Sequence, residues 1–130
     1  MSLTIKLTSV IVNDQEKALQ FYTQVLGFQL HKDIPMGDGR WLTVKAPGGP
    51  SEIELLLEPA HFPAAQTYQQ ALFTARIPFT AFMVEDIYAE YDRMKKLGVI
   101  FAKEPTEAGA VIITELEDTV GNLIMIYQEQ

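Results

Sequence analysis

The chain of 130 residues contains no cysteine, which removes disulfide scaffolds, thiolate zinc sites and cysteine nucleophiles together. It is also short of positive charge. Ten Lys and Arg against 17 Asp and Glu leave a formal charge of −7 and a pI near 4.7, so a phosphate backbone or an anionic membrane is a poor partner. No apolar run reaches the roughly 18 to 20 residues that cross a bilayer, and the first residues lack the layout of a signal peptide. Ser/His/Asp arrangements, phosphate-cradling glycine loops and the HExxH pattern are missing too. The expectation is a cytoplasmic protein with no nucleic-acid and no membrane partner.

With 48% hydrophobic residues, the chain is long enough for one real core and too short for two independent ones. A single domain over residues 1–130 follows. Its first half opens with the β-branched run "TIKLTSVIV", residues 4–12, as a buried strand does. "NDQEKALQFYTQVLGF" then offers Asn13 or Asp14 as a helix N-cap, Ala18, Phe21, Tyr22, Val25 and Leu26 at helical spacing, and Gly27 as the stop. "FQLHKD", "RWLTVKA" and "SEIELLLEP" are strand-like and separated by the turn formers "PMGDG" and "PGGP". The order is βαβββ.

The second half repeats it: "FTAFMVED" as strand, "DIYAEYDRMKKLG" as helix, then "VIFAKEP", "AVIITELED" and "NLIMIYQE" as strands. Val12-Asn13-Asp14 aligns with Val84-Glu85-Asp86, and Leu26-Gly27 with Leu97-Gly98. An internal duplication explains this, because each unit alone leaves one sheet face uncovered. The units run over about 4–58 and 78–130. The connecting segment 59–77 is longer than usual, and Pro63 followed by "AAQTYQQALF" starts a short helix there.

A duplicated βαβββ unit carrying "VNDQEKALQFYTQVLGF", "RWLTV", "IELLLEP", "LGVIF" and "GNLIMIYQ" resembles the vicinal oxygen chelate superfamily, which includes glyoxalase I, bleomycin-resistance proteins and extradiol dioxygenases. The resemblance implies an α+β fold in which two tandem βαβββ units form a curved eight-stranded half-barrel around a cavity. It also implies a homodimer, and, in the enzymes of the group, a divalent metal on four strand positions. Those positions fall here at Leu7, Glu54, Phe79 and Met125. Three of the four are hydrocarbon or thioether, and one carboxylate holds a first-row metal weakly. The expectation is no metal and no cofactor. His31, placed near the end of the second strand, and His61 belong to no recognisable metal motif and read as structural.

Strand alternation puts residues of the same parity on one face. Ser9, Ile11, Leu56, Ala81, Met83, Leu123 and Tyr127 join the four positions above on the cavity side, and Trp41 and Thr43 come from the third strand. Val10, Val12, Ile53, Leu55, Phe82, Val84, Ile124 and Ile126 face the helices. Leu7, Ser9, Trp41, Thr43, Glu54, Phe79, Met83, Met125 and Tyr127 are the candidate ligand-binding residues, and their aromatic and thioether content suits an apolar or aromatic small molecule. Glu54 is also the candidate catalytic residue: an acid among apolar neighbours has a raised pKa and serves as a base or anchors a cation, unless Arg40 pairs with it. Two functions follow. One is metal-free small-molecule binding of the bleomycin-resistance type. The other is a glyoxalase- or dioxygenase-like lyase or isomerase built on Glu54, with an atypical or absent metal.

Overall fold

A computed structural model of the chain describes residues 2–48 and 52–130. The turn expected at "PGGP" therefore lies partly outside the described residues, and Ser51 of the following run does too. The elements are β1 (Leu7–Val12), α1 (Gln15–Gln20) continued by a π-helical turn (Phe21–Val25), β2 (Gln29–Met36), β3 (Gly39–Lys45) and β4 (Glu54–Pro59). After α2 (Pro63–Thr74) come β5 (Thr80–Met83), α3 (Ile87–Lys96), β6 (Phe101–Ala108), β7 (Val111–Glu117) and β8 (Leu123–Glu129). The βαβββ order occurs twice. Each unit is a four-stranded sheet, β1-β4-β3-β2 up to Gln66 and β5-β8-β7-β6 from Thr67 onward. In both, the first strand pairs in parallel with the last and the other pairs are antiparallel.

The duplication extends to the helix caps. Asp14 accepts the Lys17 N–H at 3.0 Å and Asp86 accepts the Ala89 N–H at 3.1 Å, each satisfying a donor that the first helical turn leaves open. α1 and its π-helical continuation lean on the first sheet through Ala18 and Tyr22, and Val10, Val12, Leu42, Val44 and Leu57 are fully buried. In the second unit α3 buries Ile87 and Met94, and Ile112, Leu116, Ile124 and Ile126 on β7 and β8 are buried as well. These outer faces form the core.

Three expectations need correction. Ile53 lies outside β4 and is 42% exposed instead of packing on a helix. β1 starts at Leu7, not residue 4, because its pairing with β4 begins at Leu7 opposite Glu54. The helix expected at Pro63 is longer than the short one foreseen, running 12 residues as α2, so the described residues hold three α-helices where the repeat alone gives two.

In the second unit α2 is tied to the β7–β8 turn by a buried polar cluster. Gln69 Nε2 donates to the Val120 carbonyl and to Asn122 Oδ1, both at 3.1 Å. Asn122 Nδ2 donates to Asp118 Oδ2 at 2.7 Å, and Asp118 Oδ1 accepts the Val120 and Asn122 N–H groups at 3.0 Å. Gly121 has φ +105, and a Cβ added there would meet the Gln69 amide at 2.7 to 2.9 Å. Only glycine allows the amide to lie across this turn. We expect Gly121→Ala to destabilise the protein by about 2–4 kcal/mol, from backbone strain and displaced buried hydrogen bonds. In denaturant unfolding, Gly121→Ala combined with Gln69→Ala should cost less than the sum of the two single changes, because the Cβ then fills vacated space. An additive result would show that the two residues do not meet.

Candidate functional site

In the first unit, the sheet face turned away from α1 is built by register. β1 and β4 place Leu7 beside Glu54, Ser9 beside Leu56 and Ile11 beside Glu58. β3 sets Lys45 beside Glu54 and Thr43 beside Leu56, and β2 sets Lys32 beside Thr43 and Ile34 beside Trp41. Paired residues share a face, so Leu7, Ser9, Trp41, Thr43 and Glu54 come together in one unit, as the alternation requires.

Glu54 is the hub of this face. Its side chain is 16% exposed, and the fully buried Thr43 hydroxyl donates to Oε1 at 2.8 Å. Lys32 Nζ stands 3.7 Å from Oε2 and His31 Nε2 3.6 Å from Oε1. The expectation of a raised pKa is overturned: the Thr43 hydrogen bond, opposed by burial and assisted by Lys32, His31 and Lys45, holds the carboxyl below its ordinary value. The apolar surroundings are outweighed because hydrogen bonds and nearby cations favour the ionised form. Arg40 is not the partner. Its guanidinium binds Asp33 through two nitrogens at 2.8 and 3.0 Å and Glu16 at 2.9 Å.

His31 is the third residue of β2, near its start. Neighbours in a regular strand face opposite ways, yet both His31 and Lys32 reach Glu54. The register of β2 against β3 shifts between Leu30 and Lys32, and a bulge of this kind re-aims side chains. The Lys32 N–H then donates to the Thr43 hydroxyl at 3.1 Å. Nothing in the residue pattern announces that shift. Glu58, by contrast, is within reach of the parity rule, since it stands two residues beyond Leu56 on the same face, opposite Ile11.

In the second unit, Met125 lies between Ala81 on β5 and Glu115 on β7, and Tyr127 lies between Met83 and Ile113. Met83, Met125 and Tyr127 thus share a face. Phe79 precedes β5 and its N–H donates to the Leu123 carbonyl, so it sits two residues along from the partner of Met125, with its ring edge-on to Tyr68 at 6.0 Å. The face is less apolar than expected, since Glu115 stands beside Met125 with Lys103 at 4.0 Å. His61 is exposed in the segment after β4.

Within each unit the candidate positions do not fit a divalent metal. In the first, Leu7 beside Glu54 brings no nitrogen or oxygen and the Lys32 ammonium stands 3.7 Å from the carboxylate; in the second, Phe79 and Met125 bring none. No group of three His, Asp or Glu able to hold a metal ion occurs among the described residues. No helix among them is long and apolar enough to cross a membrane.

The chain is 48% identical to the uncharacterized protein YurT of Bacillus subtilis over 98% of this chain and 100% of that one. It is 32% identical to a probable lactoylglutathione lyase of Synechocystis sp., with 93% and 92% covered. Its fold matches that of TnmS3, an antibiotic binding protein from Streptomyces sp. CB03234, with a TM-score of 0.80 at 29% identity, covering 100% of this chain and 99% of that one. The family model that matches residues 4–126 agrees with the repeated βαβββ order and the two open sheets, and the chain belongs to the Glyoxalase/Bleomycin resistance protein/Dioxygenase superfamily.

Proposed function

We propose that this protein binds an apolar or aromatic small molecule on the sheet faces turned away from its helices, without a metal. Family membership and the likeness to an antibiotic binding protein support small-molecule binding. The observation that carries the metal-free reading is the donor set, with Leu7, Phe79 and Met125 standing where metal enzymes of this kind place ligands. Trp41, Leu7 and Ser9 of the first unit and Phe79, Met83, Met125 and Tyr127 of the second are the proposed ligand contacts, while Thr43, expected among them, is fully buried and acts behind them by holding Glu54. A thermal-shift screen of flat apolar compounds, with and without Zn, Ni, Mn and Fe, tests this. Ligands should raise the melting temperature by mass action and metals should not. About one tightly held metal ion per purified chain would overturn the metal-free reading.

Glu54 is proposed as an anchor that, with Lys32 and His31 beside it, holds a polar ligand group. An enzyme that uses it as a base is the second reading, favoured by the 32% identity to a probable lyase. The depressed carboxyl pKa weakens it as a base at neutral pH. Because the folded-state pKa lies below the unfolded one, ionised Glu54 stabilises the fold fully above the unfolded value, and this contribution is lost as pH falls through the folded value. Glu54→Gln should therefore flatten the acid limb of the stability profile. A Glu54 resonance titrating above the usual carboxylate range would restore the base reading.

We also propose a homodimer. Leu30 and Ile34 lie on β2, an edge strand of the first sheet, and are 50 and 51% exposed, and an open edge that carries apolar side chains is a template for pairing with a second copy. Symmetric pairing is the usual way to cover such surface. Light scattering at tens of micromolar should give twice the chain mass of 14.6 kDa, and a monomer mass would refute this.

A further inference from the structure

One cavity of about 240 Å³ lies within the first unit, where the β2–β3 hairpin meets the end of β4. Trp41, Met36 and Leu56 supply its apolar wall, and Asp38, Glu58 and His61 its polar groups. The room is that of about eight liquid waters, which suits one ring with a short substituent.

The charges around the cavity are unequal in kind. Arg40 also borders it, but that cation is committed to Asp33 and Glu16 by three hydrogen bonds of 2.8 to 3.0 Å. Among the described residues, no hydrogen bond or ion pair engages the side chains of Asp38 and Glu58. The other acid on this face, Glu54, already has Thr43, Lys32 and His31. Two unpaired carboxylates, one of them half-buried, thus border an aromatic wall that His61 also lines, with no free lysine or arginine among the described residues of the lining. An arriving ammonium gains charge-assisted hydrogen bonds there, and an indole face adds cation–π attraction. An arriving carboxylate meets repulsion. The chain's charge of −7 favours approach of cations as well.

We propose that this pocket takes a small ligand joining a flat apolar ring to a protonated amine, with the ring against Trp41 and the ammonium at Glu58 and Asp38. This deepens the ligand-binding reading above and rests on it. Trp41 is the chain's single tryptophan, so its fluorescence reports the pocket directly. The probes are 2-phenylethylamine, 3-phenylpropionate and propylbenzene, which share a ring and differ in charge.

Phenylethylamine should quench Trp41 and bind about tenfold more tightly than either of the others, with affinity falling as salt rises. The double variant Glu58→Gln with Asp38→Asn should bring the three to parity while its circular dichroism stays native. If that variant does not fold, the salt dependence on the native protein decides. Equal binding of all three probes, or an amine preference that survives both the salt and the double variant, overturns the cation assignment while leaving apolar ligand binding intact. If none of the probes alters Trp41 emission but the broader screen yields a binder, this inference falls alone. If the broader screen also yields none, both fall.

Discussion

The pleat of the β-strand commits alternate residues to opposite faces, and in each unit one face is sealed against a helix. Everything else about the molecule depends on that division. Val10, Val12, Leu42, Val44 and Leu57 are spent on packing against α1, and stability of the first unit comes chiefly from their burial. The residues between them are released from that duty. Ser9, Trp41, Glu54 and Glu58 have no helix to satisfy, so polar and aromatic groups can occupy a sheet whose reverse side is hydrocarbon. The second unit follows the same rule, with Ile124 and Ile126 inward toward the core and Met125 and Tyr127 on the reverse.

On the free face of the first sheet, electrostatics divides the surface in two. Near Leu7 and Lys45, Glu54 is saturated by Thr43, Lys32 and His31, and its charge is balanced locally. Toward the β2–β3 hairpin, Arg40 is drawn away to Asp33 and Glu16, and Asp38 and Glu58 form no ion pair with any described residue. One sheet therefore presents a neutralised carboxylate at one end and uncompensated acid at the other. The apolar residues between, Leu56 and Trp41, join them. This gradient supports the proposed ligand with flat and cationic parts, since a metal ion needs several donors converging at one point.

The two units have diverged in different currencies. The caps Asp14 and Asp86 still do the same work, because an open helix N-terminus imposes the same demand in both. Position 54 keeps its acid and position 125 does not, yet Glu115 brings a carboxylate to Met125 from the neighbouring strand, held by Lys103 at 4.0 Å. The buried Asp118, Asn122 and Gln69 cluster has a different task. It fixes the β7–β8 turn to α2 through a glycine that leaves space for an amide.

Local rules made much of this legible in the sequence alone. The repeat, a first-helix cap at Asn13 or Asp14, the alignment of Asp14 with Asp86, the helix beginning at Pro63 and the sharing of one face by Leu7, Ser9, Thr43 and Glu54 all follow from periodicity and short-range chemistry, which act within a few residues. The bulge that turns both His31 and Lys32 toward Glu54, the placing of Glu115 beside Met125, the offset of Phe79 from that pair and the diversion of Arg40 to Asp33 and Glu16 were decided by tertiary structure. Each depends on which residues of distant strands or helices stand opposite one another. Register is a property of the paired strands together, and a shift of one residue between them exchanges every neighbour without altering the pattern of either strand.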